Sequence, residues 1–277
     1  MIVSQLWQYP VKSMIGETVG AVELDALGVV GDRRWAARDL ERGGIRGAKK
    51  IGGLMRLAAR STGDGDAAIT LPDGAVVSTA DPAVHDRVSE AVDHPVRLEA
   101  LRPPEDVEHY RRGAPDSDDM MVELRSIFAR EDDEPLPDLS VFPPEIVEFE
   151  SPPGTYYDAF PLLVMTEAAL AALDAALPDA AIDVRRFRPS VVIDTDEDPG
   201  HPELGWSGRR LRVGGALIEI GAPCPRCVMV TREVSPEIPT DRSVLRHIVR
   251  DLDQNVGVYA TVVEPGPVAV GDPVRFV

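Results

Sequence analysis

The only two cysteines in the sequence, Cys224 and Cys227, stand three apart in Ala222-Pro223-Cys224-Pro225-Arg226-Cys227. A disulfide between them would close a loop too small to constrain a fold, so the pair is read for its chemistry. Three readings stand open: soft thiolate ligation of a metal or cofactor, dithiol redox chemistry, or simple burial of two small side chains. Arg226, beside them, would favour a thiolate over a thiol. A closed zinc site needs two further Cys or His ligands at short spacing. The five histidines, His85, His94, His109, His201 and His247, are scattered and read as surface residues. Two thiols also cannot hold an iron–sulfur cluster of the four-cysteine kind. Electrons for a redox step would therefore come from another protein.

Fixed positive charge is the second signal. Tyr9-Pro10-Val11-Lys12-Ser13 and Gly31-Asp32-Arg33-Arg34-Trp35 place Lys12 and Arg33 at the ends of strand-like runs, and Arg185, Arg186 and Arg188 form a third group. Each alone reads as a solvated cation. Together, in a chain with 47 acidic and 29 basic residues and a formal charge of −18, they suit an anion cradle, because guanidinium grips phosphate in bidentate fashion and ammonium acts as a point charge. Asp32 reads as the residue that orients Arg33 rather than as an acid or base. The acidic balance itself repels nucleic-acid phosphates and anionic membrane surfaces. No Ser-His-Asp order or carboxylate pair stands out, and no strand is followed by G-x-G-x-x-G, which disfavours a dinucleotide fold.

The elements that must position these residues are mostly strands. Short β-like runs at 2–9, 18–24, 34–38, 67–71, 75–79 and 96–101 are separated by Gly, Pro and Asp. Leu71-Pro72-Asp73-Gly74-Ala75 has the chemistry of a hairpin turn, and one helix is expected over 82–92. Residues 103–153 turn acidic and proline-rich, as in Glu131-Asp132-Asp133-Glu134-Pro135 and Phe142-Pro143-Pro144, with a short helix over 120–130. Beyond them, Thr166 caps a helix carrying Leu170, Leu173 and Leu177, and Asp241 caps one carrying Leu245, Ile248 and Leu252. Strands are expected at 162–165, 190–194, 211–213, 217–220, 228–231, 259–263 and 273–277. The class is α+β and predominantly β: an N-terminal β-barrel-like domain over 1–102, a connecting segment over 103–153, and a second barrel with peripheral helices over 154–277, on which the N-terminal strands can pack. Met1 runs straight into a strand, without the charged and apolar regions of a secretory leader, and no run of about 18 apolar residues occurs later in the chain. A cytoplasmic protein is expected.

The pieces occur in the order of a known family. Tyr9-Pro10-Val11-Lys12-Ser13 with Asp32-Arg33-Arg34-Trp35 resembles the N-terminal barrel signature of the molybdenum-cofactor-sulfurase C-terminal (MOSC) proteins. Phe187-Arg188-Pro189, Cys224-Pro225-Arg226-Cys227 and Val270-Gly271-Asp272-Pro273-Val274 resemble the MOSC domain itself. The arrangement is similar to that of the mitochondrial amidoxime-reducing component and its bacterial relatives, from end to end of the chain. The resemblance implies a molybdenum cofactor (Mo-molybdopterin) with Cys227 as the metal's protein ligand. It implies cofactor contacts from Lys12, Ser13, Arg33 and Arg188, from Thr166 and Glu167 at a strand-to-helix turn, and from Pro225 and Arg226 beside the ligand. Lys49 matches a basic position of the family, and Ser190 stands where asparagine is usual.

The same resemblance implies an oxidoreductase that reduces N-hydroxylated compounds by two-electron oxygen-atom transfer, with Cys227 and Arg226 as catalytic residues and a separate electron-transfer protein as partner. The alternative is a carrier of the cofactor, or of persulfide sulfur, without turnover. A third reading, at the level of the fold only, is a barrel that binds pyridoxal phosphate, which would need a lysine aldimine.

Overall fold

The two halves of the chain meet on the first strand, Ile2–Gln8. The computed structural model describes residues 1–196 and 199–277. Within them Ile2–Gln8 pairs antiparallel with Val191–Asp194 on one side and with Glu17–Val19 on the other. It thereby joins an eight-stranded sheet whose order runs Val274–Phe276, Arg210–Val213, Ala216–Pro225, Asn255–Glu264, Leu162–Thr166, Val191–Asp194, Ile2–Gln8, Glu17–Val19. Val3 and Leu6 pack into the core of that sheet with Val164, Ile193, Ile218 and Val258. A further exchange runs the other way, since the late strand Gly266–Ala269 pairs with Ala21–Asp25. The N-terminal strands therefore complete the sheet of the second half rather than merely lying on it.

The chain is 31% strand and 24% helix, which is the expected predominantly β class. Among the described residues its sheets are not closed. From Leu6 onward the first strand already has neighbours on both sides, so only its start can meet the far end of the curled sheet. Val3 N–H donates to Asp272 O at 2.9 Å, Gly271 N–H to Val3 O at 2.8 Å and Val274 N–H to Met1 O at 3.0 Å. The Val270-Gly271-Asp272-Pro273-Val274 motif thus performs this junction.

The remaining N-terminal strands surround a separate apolar core that includes Val11, Met14, Leu54, Leu57, Ile69 and Val88. Trp35–Asp39 pairs with Val96–Ala100, and Ala58–Ser61, Ala67–Thr70 and Val76–Ser78 form a small meander. The predicted turn joins the last two of these strands, with Gly74 at φ 84°, where a Cβ would be strained. The expected 82–92 helix is Val84–Val92, burying Val84, Val88 and Val92 along one face. Thr166 and Asp241 cap Glu167–Ala176 and Arg242–Asp251 through their side chains, as their positions predict.

Three expectations are corrected. Residues 228–231 form a 3-10 turn, not a strand, because Met229 packs into the N-terminal core while Val230 packs under the helices. An apolar run that serves two cores has no single buried face. The 217–220 strand extends to Ala216–Pro225, with register shifts around Pro223, as a residue without an N–H requires. His109 is buried, not on the surface, with its ring 2.5 Å from the Tyr156 hydroxyl.

Arg186 also departs from the expected cationic cluster. It is fully buried, and its guanidinium donates to the carbonyl oxygens of Ala181, Val230, Arg232 and Pro239. Arg185 is held by Asp183. Among the described residues no helix is long and apolar enough to cross a membrane. Replacing Arg186 with Leu would leave four carbonyl acceptors without their donor, so Arg186→Leu should lower the unfolding free energy in urea by about 3 kcal/mol. An unchanged denaturation midpoint would remove Arg186 as the tie between these loops.

Candidate functional site

Between the two cores lies a cavity of about 690 Å³ that receives residues from both halves of the chain. Lys12, Ser13, Arg33 and Lys49 line it from the N-terminal half, and Arg188, Pro225, Arg226 and Cys227 from the C-terminal half. Eight of the residues singled out in the sequence thus converge on one space, although they are spread over more than 200 positions.

Backbone conformation aims several of them. Ser13, Arg33 and Arg188 have φ of 69°, 46° and 61°, in a left-handed region that side-chain-bearing residues seldom occupy and that is retained where the surroundings enforce it. The enforcement is visible at each. The Ser13 hydroxyl accepts from Ala48 N–H at 2.9 Å and so anchors the loop that carries Lys49. Asp32 accepts from both Tyr9 N–H and the Arg33 guanidinium, which gives it the orienting role read from the sequence. Arg188 donates to the Met14 carbonyl, and its guanidinium lies 4.3 Å from the centre of the Tyr9 ring. Arg33 approaches the same ring at 5.4 Å. One aromatic ring therefore serves two cations, and the Tyr9 hydroxyl is fixed by the Pro189 carbonyl at 2.9 Å. Burial pushes the Tyr9 phenol up, against the two arginines, so it stays neutral and does not cancel their charge.

Asp158, which the sequence reading missed, organises the ammonium groups. Lys12 Nζ donates to Asp158 Oδ1 at 2.6 Å and to Tyr156 O at 2.7 Å, and Lys49 Nζ lies 2.9 Å from Asp158 Oδ2. Burial lowers the pKa of Lys12, with Asp158 opposing. For Lys49 burial also acts against the charge, but Asp158 and Cys227 outweigh it and push the pKa up. Burial would raise the Asp158 carboxyl, yet the two ammoniums hold it well below the usual carboxylate range.

At the other end of the cavity the two cysteines differ. Cys224 is buried, and its sulfur accepts from Arg226 Nη1 at 3.1 Å. Burial nonetheless pushes the Cys224 thiol up, with Arg226 opposing. The thiolate-favouring effect expected of Arg226 therefore falls on Cys224 and is outweighed there. Both border the cavity, but Cys227 is only half-buried. Arg226 also donates to Phe187 O at 2.8 Å, which ties the cysteine segment to the Arg188 loop, while its Nε has no partner.

Thr166, Glu167 and Ser190 are not brought to this cavity. The Thr166 hydroxyl caps its helix and donates to Glu203 at 2.8 Å. Glu167 accepts from Ser4 and Gln5 on the first strand. Ser190 is fully buried, with its N–H on Leu163 O. These three hold the sheet that carries Arg188. Arg130 was also missed; it donates to Arg226 O and to Gln254. No motif marks Asp158 or Arg130 in the sequence. Only the placement of Asp158 shortly before an apolar strand could have drawn attention to it.

A shape of this kind, a cysteine facing a cavity whose cations outnumber the carboxylates paired with them, can hold a soft metal centre and an anionic group together. The sequence families agree with the fold. The MOSC domain matches residues 152–275 and the MOSC N-terminal beta barrel domain residues 1–110. The chain belongs to the MOSC proteins that carry this N-terminal domain. It is 26% identical over 298 residues to the mitochondrial amidoxime-reducing component 1 of Homo sapiens, spanning 98% of this chain and 82% of that protein. It is 30% identical over 127 residues to the protein of the same name from Danio rerio, spanning 43% of this chain and 38% of that one. Among solved structures, the YUAD protein from Bacillus subtilis is 12% identical, with 99% of this chain and 93% of that chain covered at a TM-score of 0.47.

The Lys12–Asp158–Lys49 arrangement has a pH signature. A carboxylate whose folded pKa is depressed stabilises the fold above its unfolded value near 3.9, and the contribution is lost as pH falls toward the folded value. In urea denaturation at about pH 5 and about pH 3, wild type should lose more unfolding free energy than Asp158→Asn, which lacks the titrating group. Equal losses would show that the carboxylate is not stabilised by its two lysines.

Proposed function

We propose that this chain is an oxidoreductase that carries a molybdenum cofactor (Mo-molybdopterin) and reduces N-hydroxylated compounds by two-electron oxygen-atom transfer. The observation that carries the reading is the convergence of half-buried Cys227 with Lys12, Arg33, Lys49 and Arg188 on one cavity. Family membership supports the cofactor, since MOSC domains are associated with molybdenum-cofactor binding, and the human relative's name supplies the substrate class.

The residues present fit such a group. Cys227 offers one soft donor, and among the described residues no group of three or more His, Cys, Asp and Glu side chains could hold a metal ion alone. The other ligands would have to arrive with the cofactor. Arg33, Lys12, Lys49 and Arg188 have three nearby carboxylates, Asp32 and Asp158 in direct ion pairs and Glu150 close to the two lysines, which leaves net positive charge for a phosphate. Lys12, Ser13, Arg33 and Arg188 would hold the cofactor's phosphate and pterin, with Pro225 and Arg226 shaping the segment that presents Cys227. When bound, the cofactor supplies the two-electron redox centre. The net reaction consumes two electrons and two protons, cleaves the N–O bond of the substrate, and releases the reduced nitrogen compound and water. Lys49, which lines the same cavity as Cys227, would hold a proton at the substrate oxygen. A separate electron-transfer protein would deliver the electrons, and a cytoplasmic setting belongs to the same proposal.

The test is metal analysis and turnover on protein purified from a host competent in molybdenum-cofactor synthesis. Wild type should contain near-stoichiometric molybdenum and reduce benzamidoxime with reduced methyl viologen as donor. Cys227→Ala should lose the metal and roughly a thousandfold or more in rate, because the protein's only ligand to the redox centre is gone. A fully active Cys227→Ala variant would sink the mechanism. Stable persulfide on Cys227 without turnover would move the protein to the carrier reading.

A further inference from the structure

The cavity has a second wall that neither family domain contributes. The two domain matches end at residue 110 and resume at residue 152, and the segment between them folds over the cavity mouth. Leu124 and Ile127 on its helix Met120–Phe128, Phe142 just after the turn Leu139–Val141, and Ile146 in the turn Pro144–Val147 line the same space as the cations. All four are half-buried, and none joins any of the hydrophobic cores of the described chain. Phe160 and Tyr259 continue the surface, stacked at 4.5 Å, with Phe142 edge-on to Tyr259 at 6.2 Å.

Apolar side chains that face a cavity and take no part in a core leave surface for a ligand to cover. The wall is also held in place. Arg46 Nη1 lies 2.8 Å from Asp116 Oδ1, and Lys50 Nζ lies 2.9 Å from Asp116 Oδ2 and 2.5 Å from Glu123 Oε1. These pairs fasten the start of the segment and its helix to the loop that carries Lys49. At the far end Arg130 donates to the Arg226 carbonyl beside Cys227. The apolar wall is thus tied to the charged floor at both ends.

We infer that the segment between the domains is the specificity wall of this site, and that it selects N-hydroxylated substrates whose body is apolar and flat, such as an aromatic amidoxime. The inference rests on the function proposed above for the reacting end of the substrate. The polar N–O group sits on the side of Lys49 and Cys227, and the hydrocarbon body covers Leu124, Ile127 and the aromatic surface.

The test separates binding from turnover. Isothermal titration calorimetry of the purified protein, with and without cofactor, would compare benzamidoxime with acetamidoxime, which share the N-hydroxylated head and differ in the body. Benzamidoxime should bind roughly tenfold or more tightly, in keeping with the apolar area it would bury. The Leu124→Ser/Ile127→Ser double variant should lose most of that ratio. Met121→Ser, on the same helix but half exposed and outside the cavity lining, should retain it, which controls for damage to the helix. In loaded enzyme the double variant should raise KM for benzamidoxime with little change in kcat. Equal affinity for the two amidoximes, or a ratio that survives the double substitution, would overturn the assignment. Selective binding without reduction would leave the wall standing and remove the reaction, whereas reduction without selectivity would do the reverse.

Discussion

Holding several like charges around one space is the constraint on which this molecule depends. Lys12, Lys49, Arg33 and Arg188 repel one another in a partly desolvated cavity, where such repulsion is far stronger than in water. The protein offsets the repulsion without cancelling the charge. Asp158 is shared between two ammoniums, Asp32 serves Arg33, and the neutral Tyr9 ring lies beside both guanidiniums. Backbone carbonyls of Tyr156 and Met14 accept from Lys12 and Arg188. The carboxylates are outnumbered, so the cavity remains attractive to an anion inside a chain that is otherwise strongly acidic.

The interlocked architecture follows from that arrangement. The cations come from loops of both halves, and their separations can be held only if the halves cannot slide. The first strand lies within the second half's sheet, and Gly266–Ala269 pairs back onto Ala21–Asp25. Met229 is inserted into the N-terminal core two residues after Cys227. Left-handed backbone at Ser13, Arg33 and Arg188 is tolerable only on so constrained a frame. Chemistry at one cysteine and anion binding by four distant cations thereby become properties of one site.

The segment between the domains adds a different physical character to the same cavity. Its acidic and proline-rich composition reads as a connector, and its charged residues do behave as one, pairing with Arg46, Lys50 and Arg246. Its apolar residues do not build a core of their own. Leu124, Ile127, Phe142 and Ile146 face the cavity instead, so the connector is also a wall.

The sequence by itself determined much of the local structure. The caps at Thr166 and Asp241, the Leu71–Ala75 turn and the helix Val84–Val92 follow from side-chain hydrogen bonding, dihedral preference and apolar spacing, which act over a few residues. The order of its motifs also pointed to Lys12, Ser13, Arg33, Lys49, Arg188, Pro225, Arg226 and Cys227 as one site. Tertiary structure decided the rest. Thr166, Glu167 and Ser190 support the sheet instead of lining the cavity, and Arg186, although it borders the cavity, is spent on buried carbonyls. Residues 228–231 turn rather than extend because two cores compete for their side chains. Asp158 and the apolar wall acquire their roles only when segments more than a hundred residues apart are brought together. Local propensity carries no information about which charges will meet in the folded chain.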